Sequence, residues 1–289
     1  VWEGLRRFRP LTILNRRDHR KLLVIDQTVG YFGGMNIVDN AETVEQQKSA
    51  GKPMSSGWRD VHLRLEGPQQ SDLAESFDRS WRRARGERVS RRSRMYRRAL
   101  LSAQSGEDES IRFFDSGPGR RYSRAARVFS RLMRVARSQI TLSMAYFIPV
   151  GSVMRALLAA RRRKVRIRII VPGKSDVPLV QRASAHLYEK LLERGFRIYE
   201  RRQRMLHSKM MIVDDHYTIV GSCNLDPRSL YINLEFLAVI RSHKLAAIMA
   251  GICRYETRQS DRITLAHCKR IRWPERMICS MAWLCRWWL

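Results

Sequence analysis

The chain has 289 residues, a length that allows one large domain or two of ordinary size. Hydrophobic residues make up 44% of the sequence, which excludes a disordered chain. Lys and Arg total 56 against 27 Asp and Glu, so the net charge is +29 at pH 7. Such a charge favours an anionic partner, either nucleic acid or an anionic membrane surface, and does not by itself choose between the two.

Cysteine usage and hydropathy exclude further classes of protein. The five cysteines are odd in number and include no Cys-x-x-Cys pair, so we expect neither a disulfide framework nor a zinc site of common spacing. A reducing compartment fits this usage. No stretch approaches the roughly 18 apolar residues of a transmembrane helix, and none is therefore predicted.

The first predicted element covers residues 19–36, which read HRKLLVIDQTVGYFGGMN. An apolar run, a tight turn and a second apolar run predict two paired strands. His19 and Lys21 are two residues apart, so their side chains share one face of a strand. Asp26 follows the first apolar run, and Asn36 follows the second.

The sequence that follows predicts the end of a first half-domain. A polar stretch over 40–57 predicts a loop, and the alternation over 61–65 predicts a further strand, which Asp60 directly precedes. We assign residues 1–81 to the C-terminal part of this half-domain and the Arg-rich residues 82–110 to a linker.

A second half-domain, over residues 111–262, alternates helices with strands. Strands are predicted over 139–144 and 165–171, and helices over 151–161 and 178–194. This alternation predicts an α/β fold with a parallel or mixed sheet. A further amphipathic helix has a predicted apolar face of Ala125, Val128, Phe129, Leu132, Val135 and Ala136.

Residues 207–224, HSKMMIVDDHYTIVGSCN, repeat residues 19–36 without a gap. The shared positions are His19, Lys21, Asp26, Gly33 and Asn36 in the first copy and His207, Lys209, Asp214, Gly221 and Asn224 in the second. A strand over 234–240 follows, with Glu235 at its start. One His-x-Lys pair is a weak signal, but strand structure does not explain why the whole polar set is present twice. Two histidines and two lysines related by a pseudo-twofold axis would surround one phosphorus atom.

Residues 263–289 form a basic, Trp-rich tail with three of the seven Trp in its last seven positions. A short helix of this composition predicts an interfacial membrane anchor. Two alternatives remain open, a helix docked on the body of the protein and a dimer contact.

The pattern His-x-Lys-x4-Asp-x6-Gly-x2-Asn, present twice, resembles the phospholipase D superfamily. Within it, nearly the whole chain resembles bacterial cardiolipin synthases of the short type without N-terminal transmembrane helices. The supporting segments are 64–68, 172–176, 197–200, 205–207, 220–222 and 224–226. The resemblance implies a phospholipase D-like fold of two pseudo-twofold-related α/β half-domains with mixed sheets. It also implies that the half-domains are equal in size, and because only 18 residues precede His19, roughly 90 residues are expected to be missing.

The resemblance further implies a two-step reaction through a phosphohistidine, with His19 as nucleophile and His207 as general acid and base; the internal symmetry also allows the reverse. The residues implied to hold the phosphate oxygens are Lys21, Lys209, Asn36, Asn224 and Ser222. Asp60 and Glu235 are implied to orient the imidazole of the opposite half. Asp26 and Asp214 complete the catalytic motif and are expected to brace a loop more than to touch substrate. Neither a metal nor another cofactor is required, because cationic side chains supply the electrostatic stabilisation.

The implied substrates are phosphatidylglycerol as phosphatidyl donor and a second phosphatidylglycerol or another lipid alcohol as acceptor. The expected partners are anionic phospholipids at the cytoplasmic side of the cell membrane, where the protein is peripheral, with no nucleic acid; the oligomeric state stays open. Two alternatives remain, a phosphodiesterase of the same superfamily acting on nucleic acid and an inactive module that only binds anionic membrane or nucleic acid.

Overall fold

The computed structural model of the chain describes residues 16–36, 57–87, 109–117 and 123–288. Most of the predicted loop over 40–57 and of the predicted linker over 82–110 lies outside these residues. The described parts of the linker are the end of a helix and the start of a strand, so the division of the chain at 82–110 stays a prediction.

The described residues contain thirteen strands and nine helices. The strands are β1 (Leu22–Ile25), β2 (Val29–Gly33), β3 (Trp58–Arg59), β4 (His62–Glu66), β5 (Ser110–Ser116), β6 (Gln139–Met144), β7 (Arg166–Pro172), β8 (Arg197–Arg201), β9 (Met205–Leu206), β10 (Lys209–Val213), β11 (Tyr217–Gly221), β12 (Glu235–Arg241) and β13 (Ser260–Ile263). The helices are α1 (Gln70–Ala84), α2 (Arg124–Val135), α3 (Gly151–Arg162), α4 (Pro178–Ala185), α5 (Tyr188–Glu193), α6 (Pro227–Tyr231), α7 (His243–Arg258), α8 (Leu265–Arg270) and α9 (Trp273–Leu284).

The second half is built on an eight-stranded sheet in the order β13-β8-β7-β6-β10-β11-β12-β5. Strands β6, β7 and β8 are parallel to one another. The other neighbouring strands of this sheet are antiparallel, so the predicted mixed sheet is confirmed. Strand β10 is buried on both faces. Met210 and Ile212 pack toward α7, while Met211 and Val213 belong to the core that α2 and α3 cover.

The first half contributes a three-stranded antiparallel sheet in the order β1-β2-β4. Its register repeats that of the second half, because Leu22 lies opposite Phe32 as Met210 lies opposite Val220. The two predicted strand pairs are therefore present and equivalent.

An aromatic cluster joins the two halves. Phe32 of β2 lies edge-on to Phe113 and Phe236, with ring centroids 5.4 and 6.1 Å away. All three rings are buried, and Leu73 of α1 completes the contact from the first half. Because burial of an aromatic ring dominates local packing energy, this cluster fixes how the halves sit against each other.

Two helix predictions need correction. The single helix predicted over 178–194 is divided into α4 and α5, because Leu187 N–H bonds back three residues to the Ser184 carbonyl instead of four. In α2, the predicted apolar position Val135 is exposed, whereas Ser130 and Met133 are buried, so the buried face is rotated from the predicted one.

The tail contains helix α9, which docks against α4. Ala282 is buried with Val180 and Ala183 of α4 and with Ile148. Among the described residues, no helix combines the length and apolar character needed to cross a bilayer.

The aromatic cluster predicts a large loss of stability on truncation. Phe32→Ala is expected to lower the free energy of unfolding by about 3–5 kcal/mol, because it removes a fully buried ring and leaves a cavity between the halves. Urea unfolding followed by circular dichroism measures the change. Phe77→Ala is the matched control, since that ring is 55% exposed on α1. Equal losses for the two variants would contradict this role of the cluster.

Candidate active site

Both candidate histidines lie where a strand segment of one half pairs with a segment of the other. The backbone N–H of His207 donates to the carbonyl of Arg59 at 2.7 Å, and that of His19 donates to the carbonyl of Leu234 at 2.9 Å. Each of these carbonyls belongs to the residue just before a candidate acid, Asp60 or Glu235. The backbone thereby brings each acid to the histidine of the opposite half.

The side chains complete this exchange. Nδ1 of His207 lies 2.7 Å from Oδ2 of Asp60, and Nδ1 of His19 lies 3.1 Å from both Oε1 of Glu235 and the carbonyl oxygen of Ser222. Carboxylate and carbonyl oxygens only accept here, so Nδ1 carries the hydrogen in both rings. Nε2 is the nitrogen left for chemistry, and within the described residues it has no hydrogen-bond partner in either ring.

The two lysines hold equivalent positions. Nζ of Lys21 donates to the carbonyl of His19 at 2.7 Å, and Nζ of Lys209 donates to the carbonyl of His207. Burial lowers the pKa of each ammonium from 10.5 to about 8, although Asp60 and Glu235 both act to raise it. Both lysines therefore remain mainly cationic at neutral pH and lie within electrostatic reach of both acids.

Burial also lowers the pKa of the His207 imidazole. The hydrogen bond to Asp60 opposes this effect, while the charges of Lys209 and Lys21 add to it. The free site thus favours a neutral His207. An anion placed between the lysines would raise that pKa again, because opposite charge stabilises the imidazolium.

The two asparagines differ in how they are held. Asn224 is buried, and its Oδ1 accepts a hydrogen bond from the backbone N–H of Tyr146 at 3.3 Å, which leaves its NH2 group as a donor. Asn36 is half-buried at the end of its described segment.

Ser222 does not hold the position expected of a phosphate ligand. Its hydroxyl donates to Oε2 of Glu235 and accepts from the backbone N–H of Phe236 at 3.0 Å. Its hydrogen is therefore engaged by the carboxylate that contacts His19. These contacts favour a role in positioning Glu235, and the phosphate-binding role expected of Ser222 stays a prediction.

The matching residue of the first copy, Gly34, lies directly against Asp60. A Cβ built on Gly34 would come within 2.3 Å of Oδ1 of that carboxylate. The two copies therefore use different pairs in the same place, a long acid with Ser222 in one and a short acid with glycine in the other.

The motif aspartates are separated from the imidazoles. Asp214 accepts hydrogen bonds from the backbone N–H groups of Ser138 and Gln139, at 2.8 and 3.0 Å, and braces the start of β6. Asp26 lies in the β1–β2 turn with a left-handed φ of 48°. Asp26 is five residues after Lys21, which is about 16 Å along an extended chain. The contacts of Asp214 favour the bracing role expected of it, and the place of both aspartates in the catalytic set stays a prediction.

Sequence reasoning missed an aromatic neighbour of His207. The ring of Trp58 lies 4.5 Å from the imidazole, centroid to centroid, at an interplanar angle of 39°. Trp58 is two residues before Asp60, so the two side chains share one face of an extended segment. This Trp-x-Asp spacing could have predicted that Trp58 lies near the histidine that Asp60 contacts.

A possible metal site lies elsewhere. In the described part of the chain, the one group of three side chains with metal-ligand atoms close together is Asp215, His216 and His243. These residues lie at the β10–β11 turn and the start of α7, at the end of β10 opposite Lys209.

Comparison with known proteins identifies relatives of the chain. Residues 129–254 match the family described as "Cardiolipin synthase, PLD-like domain". The chain is 31% identical over 266 residues to a cardiolipin synthase of Halalkalibacterium halodurans, covering 92% of this chain and 51% of the relative. It is 33% identical over 273 residues to cardiolipin synthase B of Escherichia coli K12, covering 93% and 63%. The chain thus spans only part of each relative.

The fold is also similar to a solved structure. The crystal structure of phosphatidylserine synthase from Haemophilus influenzae Rd KW20 superposes with a TM-score of 0.65 over 94% of this chain and 71% of that one. At 14% identity, this likeness concerns the fold alone.

The contact of Gly34 with Asp60 predicts the pKa of His207. In Gly34→Ala the new Cβ displaces the Asp60 carboxylate. Because the hydrogen bond that His207 donates to Asp60 raises the His207 pKa, its loss is expected to lower that pKa further. NMR titration of the ring carbons measures the shift.

Ser222→Ala is the matched control, since Ser222 contacts Glu235, the partner of the other imidazole. It is expected to leave the His207 titration unchanged. An unchanged His207 titration in Gly34→Ala would contradict the proposed steric coupling.

Proposed function

Because the chain belongs to the phospholipase D superfamily and includes a PLD-like domain of the cardiolipin synthase type, we propose that it is a phosphatidyl transferase that condenses phosphatidylglycerol with a second phosphatidylglycerol or another lipid alcohol. The single observation that carries this proposal is the exchange of carboxylates, in which Asp60 contacts His207 and Glu235 contacts His19. That exchange leaves two Nε2 atoms and two lysines at one junction, as a phosphodiester requires.

The first step forms a phosphohistidine. Nε2 of His19 attacks the phosphorus of the donor, and the bond from phosphorus to the head-group glycerol oxygen breaks. Protonated His207 gives its Nε2 proton to that oxygen, and free glycerol leaves. The bound phosphodiester supplies the negative charge that raises the His207 pKa for this task.

The second step transfers the phosphatidyl group. The hydroxyl oxygen of the acceptor attacks phosphorus, the P–N bond to His19 breaks, and the hydroxyl proton passes to Nε2 of His207. One P–O bond is broken and one is formed overall, so the reaction needs no nucleotide. Lys21 and Lys209 stabilise the charge on the non-bridging oxygens in both transition states, and the NH2 group of Asn224 adds a donor.

Helix α9 supports a location at a membrane surface. One face of the tail is docked on α4, but the opposite face exposes between 52% and 79% of five apolar side chains. They are Trp273, Met277, Met281, Leu284 and Trp288. The first four lie on α9 at spacings of three and four residues, which form one stripe on a helix, and Trp288 lies in the turn that follows it. The tail around them carries several arginines. We therefore propose that this stripe enters the interface of an anionic bilayer. The free cysteines fit the cytoplasmic side of that bilayer, because cytoplasmic thiols are kept reduced.

The paired-histidine mechanism predicts that both imidazoles are needed for transfer in phosphatidylglycerol vesicles. His207→Ala is expected to lower the rate about 10²–10⁴-fold by removing the general acid and base, and His19→Ala to lower it at least as much. His267→Ala, on the exposed surface of α8, is the control and is expected to keep the wild-type rate. Thin-layer chromatography of labelled lipid measures the product.

A p-nitrophenyl phosphodiester separates the two roles, because p-nitrophenolate leaves without a proton. His207→Ala is expected to retain a burst of p-nitrophenolate, and His19→Ala to lose it. The opposite pattern would exchange the two assignments.

A near-wild-type transfer rate in either alanine variant would refute the mechanism. Metal-free cleavage of single-stranded DNA without lipid transfer would favour a nuclease.

The stripe on α9 predicts vesicle binding. Leu284→Ser and Trp288→Ser are each expected to weaken binding to phosphatidylglycerol vesicles about tenfold or more, because each removes a large apolar side chain from the bilayer interface. Sedimentation with the vesicles measures the affinity. The control is Ile248→Ser, a change at a side chain that is 53% exposed on α7. Equal affinities for the three variants would refute this orientation.

A further inference from the structure

A cleft with several polar side chains in its lining opens beside Trp58. Its volume is about 260 Å³, and Trp58, Lys174, Asp176 and Gln203 are among the residues that line it. The ring of Trp58 lines the cleft and also contacts the imidazole of His207, so this one side chain connects the cleft with the proposed acid and base. Both halves contribute to it, as they do to the imidazole pairs.

The cleft contains a fixed hydrogen-bond acceptor. The hydroxyl of Tyr146 donates to the carboxylate of Asp176, at 2.8 and 2.9 Å from its two oxygens. Burial, together with the charge of Asp176, raises the pKa of this phenol, so it keeps its proton. A carboxylate has about four acceptor positions, so Asp176 retains capacity for hydroxyl groups of a ligand.

The cleft also contains donors. Among the described residues, neither the ammonium of Lys174 nor the side-chain amide of Gln203 has a hydrogen-bond partner. Asp176 lies within electrostatic reach of Lys209 in the phosphate site, so the cleft and that site are continuous in charge.

The size and polarity of the cleft restrict its occupant. Its volume lies just below the range of about 300–1,000 Å³ typical of ligand pockets, so it suits a small fragment. A carboxylate, an ammonium and an amide are poor neighbours for an acyl chain, because each would lose hydrogen bonds to water without replacement. A small molecule with hydroxyl groups and one negative charge satisfies all three.

We propose that this cleft binds the glycerol-phosphate head group of the acceptor lipid, an inference that rests on the proposed transferase function and names the acceptor site. The reacting primary hydroxyl lies beside His207, the secondary hydroxyl donates to Asp176, and the phosphate of the acceptor pairs with Lys174. Trp58 covers the glycerol carbons. The cleft thus selects a polyol phosphate over a simple alcohol or water.

Competition between acceptors in one reaction tests the role of Asp176. With phosphatidylglycerol vesicles as donor and equal glycerol and 1-propanol, Asp176→Asn is expected to lower the ratio of glycerol product to propanol product about tenfold, because a hydrogen bond to a charged group is lost. Asp78→Asn, at an exposed position on α1, is the matched control and is expected to keep the wild-type ratio. A product ratio is independent of the amount of active protein.

The same design tests Lys174 with glycerol 3-phosphate against glycerol. Lys174→Gln is expected to lower the preference for the phosphorylated acceptor about tenfold, whereas Lys244→Gln, exposed on α7, is expected to keep it. Unchanged ratios in both cleft variants, with transfer intact, would overturn the acceptor site and leave the transferase function standing.

Binding alone separates the two proposals if the wild type forms no transfer product. Saturation-transfer NMR with glycerol 3-phosphate is expected to give weaker signals for Asp176→Asn and Lys174→Gln than for their control variants. Equal signals from all four variants would overturn the cleft site whether or not transfer occurs. Weaker signals from the cleft variants without any transfer would refute the transferase function and support the cleft as a polyol-phosphate site.

Discussion

The exchange of carboxylates between the two halves is the interaction on which the site depends. Neither half alone contains an imidazole with its acid, because Asp60 serves His207 and Glu235 serves His19. The backbone enforces this exchange, since the carbonyl before each acid accepts a hydrogen bond from the N–H of the histidine it serves. Packing of Phe32 between the halves is therefore a condition for the chemistry as well as for stability.

Much of this arrangement could be predicted from the sequence. The gap-free repeat determines the strand pairs, and because both copies are followed by a strand with an acid at or just before its start, the candidate acids could be identified. The role of Ser222 could not be predicted, since it depends on Glu235 being one methylene longer than Asp60. The contact of Tyr146 with Asp176 could not be predicted, although segment 172–176 supported the resemblance, because the two residues follow different strands, β6 and β7, and are 30 residues apart.

The asymmetry of the two copies gives the imidazoles different surroundings. The side chain of His207 is almost entirely buried beneath Trp58 and has a single short contact with Asp60. The side chain of His19 is 30% exposed, and its Nδ1 hydrogen is shared between Glu235 and a carbonyl. A buried ring beside a cleft suits proton exchange with a bound alcohol, and a more accessible ring suits attack on a large lipid donor. This difference in exposure favours the proposed assignment of His19 as nucleophile, which stays a prediction.

Charge balance explains how one site serves both steps. The charges of two lysines and two carboxylates balance around the imidazoles, and burial lowers the pKa of His207. A phosphodiester brings one negative charge, which the site neutralises by protonating one imidazole. In the proposed mechanism, substrate binding creates the general acid that the first step consumes, and the proton returns from the acceptor hydroxyl in the second step. Fixed cations without titratable partners would bind phosphate as well but could not regenerate the acid, so the proposed mechanism uses the lowered pKa of His207.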